Sequence, residues 1–155
     1  MQNLEIERKL VVRDSSWRAA VTEATRIRQA YLRTDGEATV RVRVRDGRPA
    51  TLTVKSQAAG LTRLEFEYEI PVSDAEAMLP LRQGEIIEKV RHMVPVAGLA
   101  WEVDVFAGAL AGLVIAEVEL TSPTQAVTLP PWVGEEVTGQ LAYYNSALAR
   151  GVVPR

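Results

Sequence analysis

The chain has 155 residues, 47% of them apolar and 25% charged, with a formal net charge of −2 and no cysteine. These values fit one domain spanning residues 1–155 and large enough to bury its own core, and they exclude disulfides, thiolate metal sites and cysteine nucleophiles. No overall basic field calls for nucleic acid, and no apolar run approaches a membrane span or a signal peptide, so neither partner is expected and a cytoplasmic location follows.

In chain order, Leu4 to Val12 alternates with period two and places Glu5, Glu7 and Lys9 on one face of a strand. Asp14-Ser15 can cap a short helix carrying Trp17, Ala20, Val21 and Ala24 on a common side. Thr39 to Arg45 sets Val40, Val42 and Val44 against Arg41, Arg43 and Arg45. Asp46-Gly47 then signals a tight turn, which makes Thr51 to Lys55 the hairpin partner. Arg63 to Ile70 repeats the alternation, with Arg63, Glu65, Glu67 and Glu69 on the charged face.

Ser73-Asp74 opens a second helix that Pro80 stops. Further strands are expected over 87–94, 100–106 and 114–120, with charged pairs Lys89/Arg91, Glu102/Asp104 and Glu117/Glu119. Pro123 to Val133 reads as a proline-rich loop, and Thr138 as the cap of a C-terminal helix with Leu141, Tyr144 or Asn145, and Leu148 in one stripe. His92, the only histidine, reads as a strand or surface residue; Trp101 and Trp132 read as packing residues.

An alternating strand ordinarily turns its charged face to water. Here the charged faces carry like charges two apart on strand after strand and are poor in Ser, Asn and Gln. Like charges so placed repel unless an opposite charge stands against them. A sheet closed into a barrel with its charged faces inward supplies that geometry. The outward apolar faces then need cover from the helices, and they also suit a homodimer contact. Such a lumen fits a compact polyanion with divalent cations: Arg gives bidentate hydrogen bonds to phosphate oxygens, and carboxylates give the hard oxygen ligands that Mg²⁺ prefers.

Magnitudes favour a ligand over a purely structural network. An ion pair about 4 Å apart gains roughly 4 kcal/mol at an effective dielectric near 20. Desolvating each ion costs a comparable amount, on the order of several kcal/mol.

At this point the residues resemble a known family. Glu5-x-Glu7-x-Lys9 looks like the EXEXK signature of the CYTH superfamily, the triphosphate tunnel metalloenzymes. Arg41-x-Arg43, Thr53-x-Lys55, Glu65-x-Glu67, Glu88-Lys89-x-Arg91, Glu102-x-Asp104-x-Phe106 and Glu117-x-Glu119 follow in the family's order. Pro131-Trp132-Val133-Gly134-Glu135-Glu136-Val137-Thr138 is similar to the end of the short bacterial inorganic triphosphatases.

The resemblance implies a mainly β, α+β fold: a closed antiparallel eight-stranded β-barrel tunnel with a charged lumen and a few peripheral helices. It implies that Lys9, Arg41, Arg43, Lys55, Lys89 and Arg91 hold the phosphates. Glu5, Glu7, Glu117 and Glu119 would hold Mg²⁺ or Mn²⁺, with Asp104 an additional ligand. Lys89 and Arg91 would also share in catalysis with Glu65 and Glu67. Those two acids would orient the basic residues or the attacking water, or form structural ion pairs. Arg45, Arg63 and Glu69 are expected at a tunnel mouth. Relatives carry a basic residue around a Tyr-x-Asn segment, where this chain reads Ala142-Tyr143-Tyr144-Asn145, so no phosphate contact is carried over there.

The implied activity is metal-dependent hydrolysis of inorganic triphosphate to pyrophosphate and phosphate. The alternatives are an organic triphosphate (thiamine triphosphate or a nucleoside triphosphate), cyclisation of ATP as in class IV adenylate cyclases, and a non-catalytic polyphosphate- or nucleotide-binding module.

Overall fold

The computed structural model describes residues 3–34, 36–57 and 61–154. Nine strands form one antiparallel sheet: β1 (Leu4–Val12), β2 (Glu23–Arg33), β3 (Ala38–Arg45), β4 (Ala50–Ser56), β5 (Thr62–Ile70), β6 (Gln83–Val96), β7 (Leu99–Phe106), β8 (Val114–Glu119) and β9 (Val133–Glu136). Their order is β5-β4-β3-β2-β6-β7-β8-β1-β9, and β1 also pairs with β5. The first eight strands therefore close into a barrel. Leu4–Ile6 of β1 pair with β5, Glu7–Val11 pair with β8, and β9 joins β1 only near its end.

The hairpin expected at Asp46-Gly47 forms, with Thr39 opposite Lys55 and Arg41 opposite Thr53. Gly47 takes φ +71°, which its missing Cβ permits.

Two hydrophobic cores lie outside the barrel wall, and a third (Tyr31, Ile87, Phe106, Ile115 and Leu148) uses lumen-facing strand positions. Ile6, Leu10, Val94, Trp101, Val103, Ala116 and Val118 pack beneath Trp17, Leu120, Trp132 and Val133. The rings of Trp101 and Trp132 meet edge-on at 5.8 Å. On another side Ala30, Val42, Val44 and Ala50 are covered by α1 (Val72–Met78) and Leu79. His92 stands among the covering residues, its Nδ1 3.1 Å from the Val103 carbonyl oxygen and its ring edge-on to Trp17.

Two features depart from the sequence expectation. The helix anticipated from Trp17 to Ala24 is a single 3₁₀ turn over Ser16–Ala20, and the chain then becomes β2. β2 escaped notice because its polarity is reversed. Its outer face carries Arg26 and Arg28, which pair with Glu88 and Glu76, while the inner face carries Ile27, Gln29 and Tyr31. Only Ala30 on the outer face is buried under α1.

The C-terminal helix is likewise reduced to a 3₁₀ turn (Leu141–Tyr143) and α2 (Asn145–Leu148). Thr138 does not cap it; its hydroxyl donates to Glu136 at 2.8 Å and accepts from the Lys9 amide at 2.9 Å. Leu141 faces solvent, whereas Leu148 and Ala149 pack on Ile87, Phe106 and Ile115.

Gly84 secures that C-terminal turn. It takes φ +70° at a bulge in β6, and a Cβ there would lie 2.5 Å from the Ala149 carbonyl oxygen. The Glu85 amide donates to the same oxygen at 2.6 Å. Gly84→Ala is expected to lift the C-terminal turn off the barrel and cost about 2 kcal/mol or more, read as a loss of Tm.

Candidate functional site

Alternation along seven of the eight strands, all but β2, turns their charged faces into one lumen, a cavity of about 230 Å³. Seven acids line it (Glu5, Glu7, Glu65, Glu67, Glu102, Glu117, Glu119), with seven bases (Lys9, Arg41, Arg43, Arg45, Lys55, Arg63, Arg91). Arg45 and Arg63, expected at a mouth, belong to this lining, while Glu69 does not.

Strand order sorts these charges. β7, β8, β1 and β5 are consecutive around the barrel and carry all seven acids. β4, β3, β2 and β6 are consecutive in the other half and carry Lys55, Arg41, Arg43, Arg45 and Arg91. The lumen thus has an acidic wall facing a basic wall, with Lys9 and Arg63 as the two cations set into the acidic side.

On the acidic wall several carboxylates are already engaged. Glu5 accepts from Lys55 Nζ at 2.9 Å and Arg63 Nε at 3.0 Å. Burial works against its ionisation, but Lys55, a hydrogen bond with Glu65, and Arg63 bring its pKa down to about 2. Glu65 shares Lys55 at 3.1 Å, which realises the ion pair expected for it. Glu117 accepts from the fully buried Lys9 ammonium at 3.2 Å, and despite burial that neighbour holds it well below the usual carboxylate range.

Glu7 and Glu119 stand directly opposite each other in the β1–β8 register. Burial first, then the Glu117 and Glu5 charges, push Glu7 up to about 8. Glu119 is raised by burial and by Glu5. Opposed like charges of this kind are destabilising unless a cation bridges them.

The basic wall is held differently. Arg41, Arg43 and Arg45 form no ion pair with a carboxylate among the described residues. Among the described residues Arg41 donates only to Thr53 Oγ1 at 3.3 Å, and its buried Nε has no partner. Arg43 Nε donates to Gln29 Oε1 at 2.8 Å. Burial, with Arg41 and Arg91 nearby, lowers Arg43 to about 9, so it stays protonated at neutral pH; the Asp104 charge acts on it from a distance without forming an ion pair.

Arg91 is gripped by Asp104 through two bonds of 2.8 and 2.9 Å and by Glu102 at 3.0 Å. Lys89 and Asp104 are not among the lining residues. They form a buried pair at 2.7 Å beneath Arg91, and burial lowers Lys89 to about 7. Both Asp104 oxygens are thus engaged by Arg91 and Lys89.

Tyr31, Thr39 and Ser146, not singled out as site residues in the sequence, also line the lumen, as do Tyr144 and Asn145 of the segment to which no phosphate contact was carried over. The Tyr144 ring lies under Lys9 Nζ at 4.7 Å and Arg63 at 5.4 Å, and the Tyr143 carbonyl accepts from Lys9 at 3.2 Å. The segment lacking a basic residue reaches the site through aromatic and amide groups, which carry no charge signal in a sequence.

A divalent cation fits the acidic wall by donor chemistry: hard carboxylate oxygens, among them the opposed Glu7 and Glu119, with only a long 3.8 Å contact from Arg63 to Glu7. Among the described residues no three acidic or imidazole groups are already gathered at metal-ligand spacing. The reason is that Glu5 and Glu117 are turned to Lys55, Arg63 and Lys9. No helix among the described residues is long and apolar enough to cross a membrane.

Comparison with known proteins agrees with this geometry. The CYTH domain family matches residues 3–151. An inorganic triphosphatase of Acetivibrio thermocellus is 42% identical over 147 residues, covering 94% of this chain and 93% of that protein. One from Nitrosomonas europaea is 39% identical over 152 residues, covering 96% and 98%. The crystal structure of the inorganic triphosphatase NE1496 superposes with a TM-score of 0.67 at 37% identity over 97% of each chain. A closed barrel with inward charge, EXEXK on its first strand and these relatives lead to one placement: the chain belongs to the CYTH family.

Proposed function

We propose that this protein hydrolyses inorganic triphosphate to pyrophosphate and phosphate inside the barrel, with Mg²⁺ or Mn²⁺ as cofactor. The observation that carries this reading is the division of the lumen into two walls, with Arg41 and Arg43 buried and free of carboxylate partners. Cations left without counter-charge are costly to bury, and a polyanion relieves that cost. The balanced lining argues against a bare polyanion: a triphosphate chain and a pair of divalent cations nearly cancel, as the lumen does. The similarity to two inorganic triphosphatases supports the same substrate.

In this reading Arg41 and Arg43 fork onto phosphoryl oxygens, and Lys9, Lys55 and Arg91 add point charge along the chain. Asp104 and Glu102 fix the Arg91 guanidinium, and Lys89 supports Asp104 from beneath. Glu5, Glu7, Glu117 and Glu119 would hold the cation, which would supply Lewis-acid charge to the transferring phosphoryl group. Glu65 orients Lys55. Glu67 lines the lumen and carries no ion pair among the described residues, which leaves it able to accept a proton or hydrogen bond from the attacking water. No protein nucleophile is needed, since positioning and charge neutralisation carry phosphoryl transfer. The chain acts as one cytoplasmic domain, and the exposed Leu4, Leu64 and Tyr68 suit a homodimer contact.

A second reading has one observation in its favour. A cavity of about 520 Å³ adjoins the lumen, sharing Thr39, Arg63, Tyr144 and Ser146 and adding Leu141 and Ala147, with room for an organic group. Phosphate release from inorganic triphosphate, ATP, thiamine triphosphate and pyrophosphate, each with Mg²⁺ or Mn²⁺, separates the two. Turnover highest on inorganic triphosphate is expected. Higher turnover on an organic triphosphate, or none on any, sinks the first reading.

A further inference from the structure

Behind the basic wall runs a chain of buried polar contacts that no charge motif announces. Gln29 on β2 is fully buried, and its side chain lies between two others. Its Oε1 accepts from Arg43 Nε at 2.8 Å, and its Nε2 donates to Asn145 Oδ1 at 3.1 Å. That same Asn145 oxygen accepts from Lys89 Nζ at 3.1 Å. Arg and Lys can only donate, so each amide has one orientation that satisfies both neighbours. Arg43 on β3 and Lys89 on β6 flank β2 in the sheet and are thereby tied to the C-terminal turn.

We infer that Gln29 and Asn145 are positioning residues: a neutral amide pair that fixes the Arg43 guanidinium without placing a carboxylate on it, leaving its positive charge for the anion, and anchors it to the Lys89–Asp104 pair. The inference rests on the reading of Arg43 as a phosphate-holding residue. The chemical choice matters. A carboxylate at position 29 would accept the same hydrogen bond from Arg43 and bind that cation more strongly. It would also cancel the charge that the substrate needs. A neutral side chain without an acceptor would leave Arg43 Nε buried and unpaired, like Arg41 Nε beside it.

The test uses the full chain with Mn²⁺ or Mg²⁺ and measures KM and kcat for inorganic triphosphate, with thermal melts alongside. Gln29→Leu should raise KM about tenfold or more while kcat changes little, because the lost contact serves binding in ground and transition states alike. Gln29→Glu keeps the size and the bond to Arg43, so it guards against a variant that fails to fold. It should melt within a few degrees of wild type and yet raise KM at least as much.

A double-mutant cycle adds the decisive arm. Arg43→Ala alone should raise KM about a hundredfold, and Gln29→Leu should then add little, since both remove one function. An unchanged KM in Arg43→Ala overturns the phosphate-holding reading itself. A raised KM in Arg43→Ala, with normal KM in folded Gln29→Glu and fully additive Gln29→Leu, overturns the positioning role and leaves the phosphate reading standing.

Discussion

Replacing Glu117 with glutamine is expected to lower phosphate release from inorganic triphosphate by about a hundredfold or more. The side chain keeps its shape, so what changes is charge. Glu117 lies on the acidic wall with Glu102 across from it on β7 and Lys9 across from it on β1. Its carboxylate is held ionised by Lys9, Arg91 and Lys89 against the cost of burial, so it is a permanent anion at any working pH. Glutamine offers one oxygen with only a partial charge, a poor ligand for a hard divalent cation.

The variant should still fold. Lys9 would lose its counter-charge but keep the Tyr143 carbonyl at 3.2 Å, the Tyr144 ring and the glutamine oxygen. A fall in Tm of several degrees is expected rather than collapse, because the ammonium stays partly satisfied. Near-normal turnover in a folded Glu117→Gln protein would remove this residue from the proposed metal set.

The second large effect concerns pH. Burial, Glu117 and Glu5 hold the Glu7 carboxyl up at about 8, so in the metal-free protein it carries a proton at pH 7. A divalent cation seated at Glu7 must expel that proton. Calorimetric titration with Mn²⁺ at pH 7, in buffers of different ionisation enthalpy, should report about one proton released per protein, and almost none at pH 9. Apparent metal affinity should rise about tenfold per pH unit up to about 8 and then level off. Glu7→Gln should abolish the proton release. Equal proton counts at pH 7 and 9 would refute the assignment.

Stability follows with a definite sign. The folded-state pKa of Glu7 lies above its unfolded value of 4.5, so its contribution is fully present below that value. It is lost as pH rises through about 8, where burial and the charges of Glu5 and Glu117, with Glu119 opposite, outweigh the attraction of Lys9, Lys55 and Arg63 for an ionised Glu7. The metal-free protein should therefore lose Tm between pH 7 and pH 9. Glu7→Gln should lose less, opening a gap of about 5 °C at pH 9 that added metal closes.

Much of the barrel was legible because its strands alternate so regularly. β1, β3, β4, β5, β7 and β8 lie within a residue of their expected bounds, since a charge at every second position leaves only period two as a solution. β6 is longer than expected, reaching back to Gln83 through the bulge at Gly84. β2 was illegible for the same physical reason in reverse: its charged residues face out, its lumen face is Ile27, Gln29 and Tyr31, and Ala24 and Ala30 read as helix formers. β9 was hidden at the end of a proline-rich stretch, where only four residues pair with the end of β1.

The sequence by itself determined which residue types share a strand face, and through the EXEXK pattern and its successors it determined the family. Local alternation is a property of the backbone and needs no knowledge of neighbours. Tertiary structure alone decided which faces stand side by side. Only the insertion of β2 between β3 and β6 sets the arginines of β3 beside Lys89 and Arg91, and only the closure of β1 onto both β8 and β5 gathers the carboxylates opposite them. The burial of Asp104 under Arg91 and Lys89, the opposition of Glu7 to Glu119, and the entry of Tyr144 and Asn145 into the lumen are likewise contacts between distant segments. Strand pairing is set by closure and packing across the whole chain, so no local pattern encodes it.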